Sequence, residues 1–274
     1  MNVAVVGHVE FATFARVERV PRAGEIVHAL EWWEEPAGGG AVAAVQLAKL
    51  AGACTLFTAL GDDEAGRRSH RELAAMGLEV EAAHRQGPQR RVFTYLDRDG
   101  ERTITTLGER LGPRGEDPLP WGELADADAV YFTAGDLAAL RHARRARVLV
   151  ATVRELPLLA TAGVRLDAAI GSARDAGERY PAGAIVPPPG LAVRTEGTDG
   201  GTWETDDGRS GRYAPLEPPG PIVDSYGAGD SFAAGLTFAL GQGRDHEDAL
   251  RLAARCGAAC AAGRGPYEGQ LRLA

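Results

Sequence analysis

Asn2–Val6 is an unbroken apolar run closed by Gly7, the pattern of a parallel strand covered on both faces. Further strand patterns stand at Cys54–Leu60, Val80–Ala83, Ala129–Thr133, Val148–Thr152 and Ala168–Ile170. Helix patterns lie between them, over Ala41–Leu50, Arg67–Met76 and Ala139–Arg147. The alternation predicts an α/β domain around a mostly parallel sheet. Two stretches break this rhythm. Ile26–Trp33, after Pro21-Arg22-Ala23-Gly24-Glu25, suits short strands joined by turns, and Arg90–Thr105 reads as a hairpin that reverses at Asp99-Gly100. A further hairpin is predicted over Trp203–Tyr213, and an Ala-rich helix over Asp245–Ala262, ending at Gly263-Arg264-Gly265-Pro266.

The densest stretch is Asp224-Ser225-Tyr226-Gly227-Ala228-Gly229-Asp230, followed by Ser231-Phe232-Ala233-Ala234-Gly235. It reads as a strand end at Pro221-Ile222-Val223, a turn of small residues, and an amphipathic helix running to about Leu240. The first N–H groups of such a helix have no carbonyl partner and favour an anion, and Gly227-Ala228-Gly229 lets a large phosphate approach the backbone. Asp230 would stand beside that anion. It has two readings: an N-terminal cap stabilising the helix by about 1 kcal/mol, or a base that deprotonates a substrate hydroxyl next to the γ-phosphate of a nucleotide.

A length of 274 residues with 45% hydrophobic content fits one domain with a substantial core over 1–274, and no second domain is required. The net charge of −8 argues against nucleic-acid backbones and anionic membranes as partners. Cys54, Cys256 and Cys260 make an odd number, so a reducing compartment is expected, with Cys256 and Cys260 as small core residues rather than metal ligands. The chain opens on an apolar strand without a basic leader, and no apolar run approaches the roughly 20 residues that span a bilayer; a cytoplasmic location is expected. Lys49 is the only lysine, so no P-loop can be written, and no Gly-x-Gly-x-x-Gly follows the first strand. A dehydrogenase therefore has little support.

The stretch from Asp224 to Gly235 resembles the C-terminal signature of the ribokinase-like (PfkB-type) carbohydrate kinases. Gly38-Gly39-Gly40 resembles that family's N-terminal glycine signature, Gly61–Gly66 its Gly-x-Asp-x-x-Gly turn, and Thr195–Gly201 its Thr-x-Gly-x-x-Gly loop. The resemblance implies a ribokinase-like three-layer α/β/α domain with a small β lid built from segments near 12–35 and 88–107. It implies Asp230 as catalytic base, with Gly227, Ala228 and Gly229 as the anion hole. Thr195, Gly197, Gly200 and Arg264 are then expected at ATP, and Asp175, Glu178 and Asp224 at Mg²⁺ or, for Asp224, a monovalent cation. Glu10, Gly38 and Gly39 are expected at the acceptor, with Arg91 and Arg102 of the lid.

The chain departs from the pattern at Ala12 and Val42, where family members carry an Asp and an Asn that contact sugar hydroxyls. Glu10 is open to two readings, sugar contact or solvated loop charge. Arg90, Arg91 and Arg102 are equally open, as solvated strand arginines or contacts for an acidic or phosphorylated substrate. The expected function is ATP-dependent phosphorylation of an alcohol group on a small sugar, sugar derivative or nucleoside, by a homodimer joined through the lid. The alternative is a non-catalytic sugar- or nucleotide-binding protein that kept the fold.

Overall fold

The computed structural model describes residues 1–273. The chain passes through β1 (Val3–Val6), β2 (Glu10–Arg16), β3 (Glu31–Ala37), α1 (Gly39–Ala51), β4 (Cys54–Gly61), α2 (Glu64–Ala75) and β5 (Leu78–Arg85). It continues through β6 (Arg91–Leu96), β7 (Arg102–Leu107), β8 (Ala129–Phe132), α3 (Leu137–Ala143), β9 (Val148–Thr152), α4 (Leu156–Ala162) and β10 (Ala168–Ser172). The last elements are β11 (Leu191–Thr195), β12 (Gly201–Thr205), β13 (Ser210–Tyr213), α5 (Ala228–Gly241) and α6 (His246–Ala261).

Nine strands form one sheet in the order β13-β12-β11-β10-β9-β8-β1-β4-β5. The strands from β11 to β5 are parallel and β12 and β13 antiparallel. Strand periodicity separates the two faces. Val3, Val5, Tyr131, Val150 and Ile170 pack with α1, α5 and α6, whereas Ala4, Val6, Val130, Phe132, Leu149 and Ala151 pack with Ala139 and Leu140 of α3 and Leu159 of α4. Both faces of the central strands are thus covered, which is why they read as continuous apolar runs. The result is the expected three-layer α/β/α arrangement.

A second sheet has the order β3-β2-β6-β7, with β2 and β6 parallel and the outer pairs antiparallel. Only Gly7-His8-Val9 separates β1 from β2, so these three residues stand at the junction of the two sheets.

Pro221-Ile222-Val223 is not a strand. Pro218, Pro219 and Pro221 remove ladder donors, and the N–H groups of Val223 and Asp224 both go to the Ala261 carbonyl, at 2.9 and 3.3 Å. Ile26–Leu30 is not a strand either. Its backbone meets a neighbouring strand only at its end, where the Leu30 N–H donates to the Arg16 carbonyl at 2.8 Å; Ile26 is 90% exposed, and β3 starts only at Glu31. Helix α2 starts at Glu64 rather than Arg67, because the Asp63 side chain accepts the Gly66 N–H at 3.0 Å and caps it there. Cys54, Cys256 and Cys260 are free and buried, as expected of core residues.

Helices α5 and α6 meet at backbone distance. A methyl group on Gly235 would lie 2.8 Å from Cys256 Sγ and 2.9 Å from Cα of Ala253. Gly235→Val is therefore expected to destabilise the protein by about 1–3 kcal/mol through overpacking, read as a lower urea midpoint. A midpoint at or above that of the parent protein would show that the helices do not touch there.

Candidate active site

The carboxyl ends of the central strands and the amino ends of α1 and α5 converge on one region. Close backbone packing brings them there. The Gly40 N–H donates to the His8 carbonyl at 3.1 Å, and a methyl on Gly40 would fall 2.6 Å from that oxygen. One on Gly7 would strike Thr133 Oγ1 at 2.4 Å and Cα of Gly40 at 2.8 Å. The first turn of α1 is thereby pressed against the β1–β2 junction. Its Gly39 then faces Asp230, whose Oδ1 would lie 2.9 Å from a methyl at that position.

Asp230 is in the first turn of α5, behind a Gly227 that caps the helix at φ +80°. The loop before it is held by Asp224, which is fully buried and accepts the N–H groups of Tyr226 at 2.8 Å and Gly265 at 3.0 Å. Tyr226 packs edge-on against Phe14 of β2, and Phe14 stacks on Trp33 of β3. Residues of the small sheet reach the same loop: Ser225 N–H donates to the Gly100 carbonyl at 3.0 Å, and Arg102 Nη1 donates to the Ser225 carbonyl at 3.0 Å. Above Gly229, apart from its chain neighbours and the backbone of its own helix, no protein atom lies within 4 Å of where a methyl would be. The amino end of α5 is thus built from rigid neighbours and open on one side, a geometry suited to an anion.

Burial, reinforced by the nearby Glu178 carboxylate, pushes the Asp230 carboxyl up to about 6, against the pull of Arg102 and Arg154. His8 goes the other way. Burial first, and then Arg110, Arg90 and Arg154, lower its imidazole to about 3, so it is neutral at pH 7. Its Nδ1 lies 3.5 Å from Thr133 Oγ1. Glu10 is buried, not a solvated loop charge; Arg90 Nε lies 3.0 Å from its Oε1, yet burial still raises its pKa. On the far side Arg154 grips both Asp175 and Glu178, with Nη2 at 2.5 Å from Asp175 Oδ2 and 2.6 Å from Glu178 Oε1.

Gly38 and Gly39 stand at the start of α1, against Glu10, His8 and Asp230. Thr195 ends β11, beside β10, and its Oγ1 donates to the Gly171 carbonyl at 3.4 Å. Gly197 has φ +66° under the Arg174 guanidinium, and Gly200 has φ +79° and would collide with the Tyr213 carbonyl if it carried a methyl. Arg264 lies 3.8 Å over the Trp33 ring and pairs with Glu31 at 2.6 Å, so the structure ties it to the small sheet. Arg91 is exposed, its guanidinium 5.8 Å from the Phe11 ring, away from Asp230's contacts. Two shallow hollows of about 260 and 280 Å³ lie at the opposite ends of the strands, beside Asn2 and Ala4 and beside Val148 and Asp167.

Sequence reasoning passed over His8, Arg110, Arg154 and Glu155. His8 had a signal, because it follows the glycine that ends the first strand. Arg154 follows the carboxyl end of β9, where open α/β sheets bind ligands, but nothing in its spacing announces that β10 and the Asp175 turn lie beside it.

Gly227 and Gly229 make opposite predictions for the fold. Gly227→Ala forces a side chain into a left-handed conformation, 2.9 Å from Val42 Cγ1 and 3.0 Å from Pro266 Cβ, and should lower stability by about 1–3 kcal/mol. Gly229→Ala points into open space and should leave the melting temperature at or above that of the parent protein. Equal losses in thermal denaturation would contradict the open geometry at Gly229.

The description "pfkB family carbohydrate kinase" matches residues 1–156 and 182–271. The chain is 29% identical to an ATP-dependent ribose-1-phosphate kinase of Halopiger xanaduensis, over 94% of this chain and 91% of that one. Among solved structures it is similar to a ribokinase of Thermotoga maritima, with a TM-score of 0.79 at 16% identity over 99% of this chain and 96% of that one. It is also similar to an Arabidopsis thaliana ribokinase complexed with ribose and ATP, with a TM-score of 0.76 at 19% identity over the same shares. With its two glycine-lined helix starts and a fold shared with these structures, the chain belongs to the pfkB family of carbohydrate kinases.

Proposed function

We propose that Asp230 is the catalytic base in an ATP-dependent phosphoryl transfer onto an alcohol group of a small sugar, sugar derivative or nucleoside. The observation that carries this reading is a carboxyl held near neutrality beside a helix amino end that is open at Gly229. The acceptor oxygen bonds to the γ-phosphorus while the bond from that phosphorus to the β–γ bridging oxygen breaks. The hydroxyl proton passes to Asp230 and ADP leaves. N–H groups of Gly227, Ala228 and Gly229 face the charge on the transferring group. Such transition states are loose, so positioning contributes more than base strength. A carboxyl with a pKa of about 6 is mostly ionised at pH 7 and serves that role.

ATP lies along Thr195, Gly197 and Gly200 in this reading, since that loop flanks the strand end bearing the Asp175–Glu178 turn. The residues present fit a hard cation carried in with the phosphates. Both oxygens of Asp175 are engaged, by Gly177 N–H and Arg154, whereas Glu178 Oε2 accepts no hydrogen bond among the described residues. Mg²⁺ would be held by Glu178 through its retained water, and would neutralise phosphate charge. Asp224 spends both oxygens on backbone N–H groups, which supports a role in shaping the loop rather than facing a cation.

The small sheet is the lid. Its contacts with Ser225 and Arg264 tie lid position to the anion hole. A homodimer through the lid is supported by β7, exposed along its whole length with Ile104 and Leu107, and by Trp32 at 67% exposure. No helix among the described residues is long and apolar enough to cross a membrane, and the buried free thiols suit a cytoplasmic setting.

Asp230→Asn should lower kcat by about 10²–10⁴-fold while leaving ATP affinity within about tenfold, measured by ADP release and calorimetry. Near-normal turnover would remove Asp230 from this role. The base must be ionised, so kcat/KM should fall as pH drops through about 6, with one proton per site. A flat profile from pH 5 to 8 would argue against a base with the raised pKa.

A further inference from the structure

The acidic turn after β10 has little secondary structure to hold it. Between β10 and β11 the chain is regular only in a 3₁₀ turn over Ala176–Glu178. Gly171 places the backbone of that turn, since a methyl group there would fall 2.5 Å from the Glu178 carbonyl oxygen. One residue places its side chains. Arg154 Nη2 donates to Asp175 Oδ2 at 2.5 Å and to Glu178 Oε1 at 2.6 Å, and its Nε donates to the same Oε1 at 3.1 Å. Two carboxylates drawn to one nitrogen repel each other, and no other basic side chain pairs with either among the described residues. Arg154 is itself fixed. It lies in the 3₁₀ turn Val153–Glu155 that follows β9, its N–H donates to Thr152 Oγ1 at 3.2 Å, and the adjoining Glu155 is buried and paired with Arg110. Because β9 and β10 are neighbours in the sheet, its guanidinium has a single strand spacing to cross. It engages one oxygen of Glu178 twice and leaves Oε2 without a donor among the described residues, so that carboxylate is oriented and still has an oxygen to offer.

We propose that Arg154 is a positioning residue, which orients the Asp175–Glu178 turn so that the free oxygen of Glu178 is ready for the hard cation that accompanies ATP. The inference rests on the kinase reading above and adds the residue on which that cation's site depends. A guanidinium suits the task because its donors point in fixed directions and reach two carboxylates at once; a lysine ammonium is a point charge with no such plane. It also brings a positive charge close to the cation, and the two carboxylates outweigh it. Partners that orient a metal-holding side chain in this way account for about 10–100-fold in metal affinity or activity.

The test takes the full chain with Arg154→Ala and Arg154→Lys, and thermal melts show that each variant is folded; if Arg154→Ala is not, Arg154→Lys carries the test alone. Without any ligand, hydrogen exchange of the amides from Ala173 to Arg179 should quicken about tenfold or more in Arg154→Ala, while that of α5 stays as in the parent protein. Calorimetric titration with ATP, once with Mg²⁺ and once with EDTA, gives the factor by which Mg²⁺ tightens binding. That factor should fall towards one in Arg154→Ala, with affinity in EDTA unchanged, and kcat should drop about 10–100-fold at an unaltered acceptor KM. Arg154→Lys keeps the charge and loses the plane, so it should follow Arg154→Ala in both readouts. Unchanged exchange in the turn, or full recovery in Arg154→Lys, overturns the inference and leaves the kinase reading standing. So does equal weakening of ATP with and without Mg²⁺, the mark of a direct phosphate contact, or a larger Mg²⁺ factor, the mark of an arginine that competes with the cation. A parent protein that binds no ATP in the presence of Mg²⁺ overturns the kinase reading itself.

Discussion

Backbone-to-backbone contact between the start of α1 and the junction of the two sheets is the constraint from which the site follows. Gly40 must lie against the His8 carbonyl and Gly7 against Cα of Gly40, distances that no side chain can share. That contact sets Gly39 over Asp230 and brings two helix amino ends to one point, where their dipoles and unpaired N–H groups sum. A carboxylate ought to be stabilised there. Burial and Glu178 nevertheless win, and leave Asp230 with a pKa of about 6, close enough to neutrality for it to accept a proton from a hydroxyl and give it up again.

The small sheet is coupled to this point through a short aromatic and ionic chain. Trp33 stacks on Phe14, Phe14 meets Tyr226, and Tyr226 sits one residue before the helix cap at Gly227. Aromatic contacts of this kind contribute about 0.5–1.5 kcal/mol each beyond the area they bury. Trp33 also lies beneath Arg264 and donates its N–H to Glu35 at 2.7 Å, and burial lifts the Glu35 carboxyl to about 7. Tyr226 thus supplies a ring that joins the small sheet to the start of α5. Arg264, expected at the nucleotide by the resemblance, lies in that joint, over Trp33 and paired with Glu31.

The main sheet was legible because its central strands are covered on both faces and read as plain apolar runs; so was the α5 start, because glycines and an acid in that order have few other uses. The lid was harder. Strand β2 is buried on both sides yet begins at Glu10 and ends at Arg16, and β3 is written with acids and two tryptophans, so neither shows clean alternation. Arg110, Arg154 and Glu155 were illegible for a different reason. Their meaning comes from strand order: β9 lies next to β10, so Arg154 reaches the Asp175–Glu178 turn, and Arg110 reaches Glu155 across the same edge. Spacing along the chain carries no trace of such neighbours.

Determination of the structure with Mg²⁺, a non-hydrolysable ATP analogue and an acceptor alcohol tests the central claim most directly. The terminal phosphate should accept hydrogen bonds from the N–H groups at the start of α5, with the acceptor hydroxyl between it and the Asp230 carboxylate. A terminal phosphate bound elsewhere, or an acceptor hydroxyl bonded to some other base while Asp230 stays under Gly39, would contradict it.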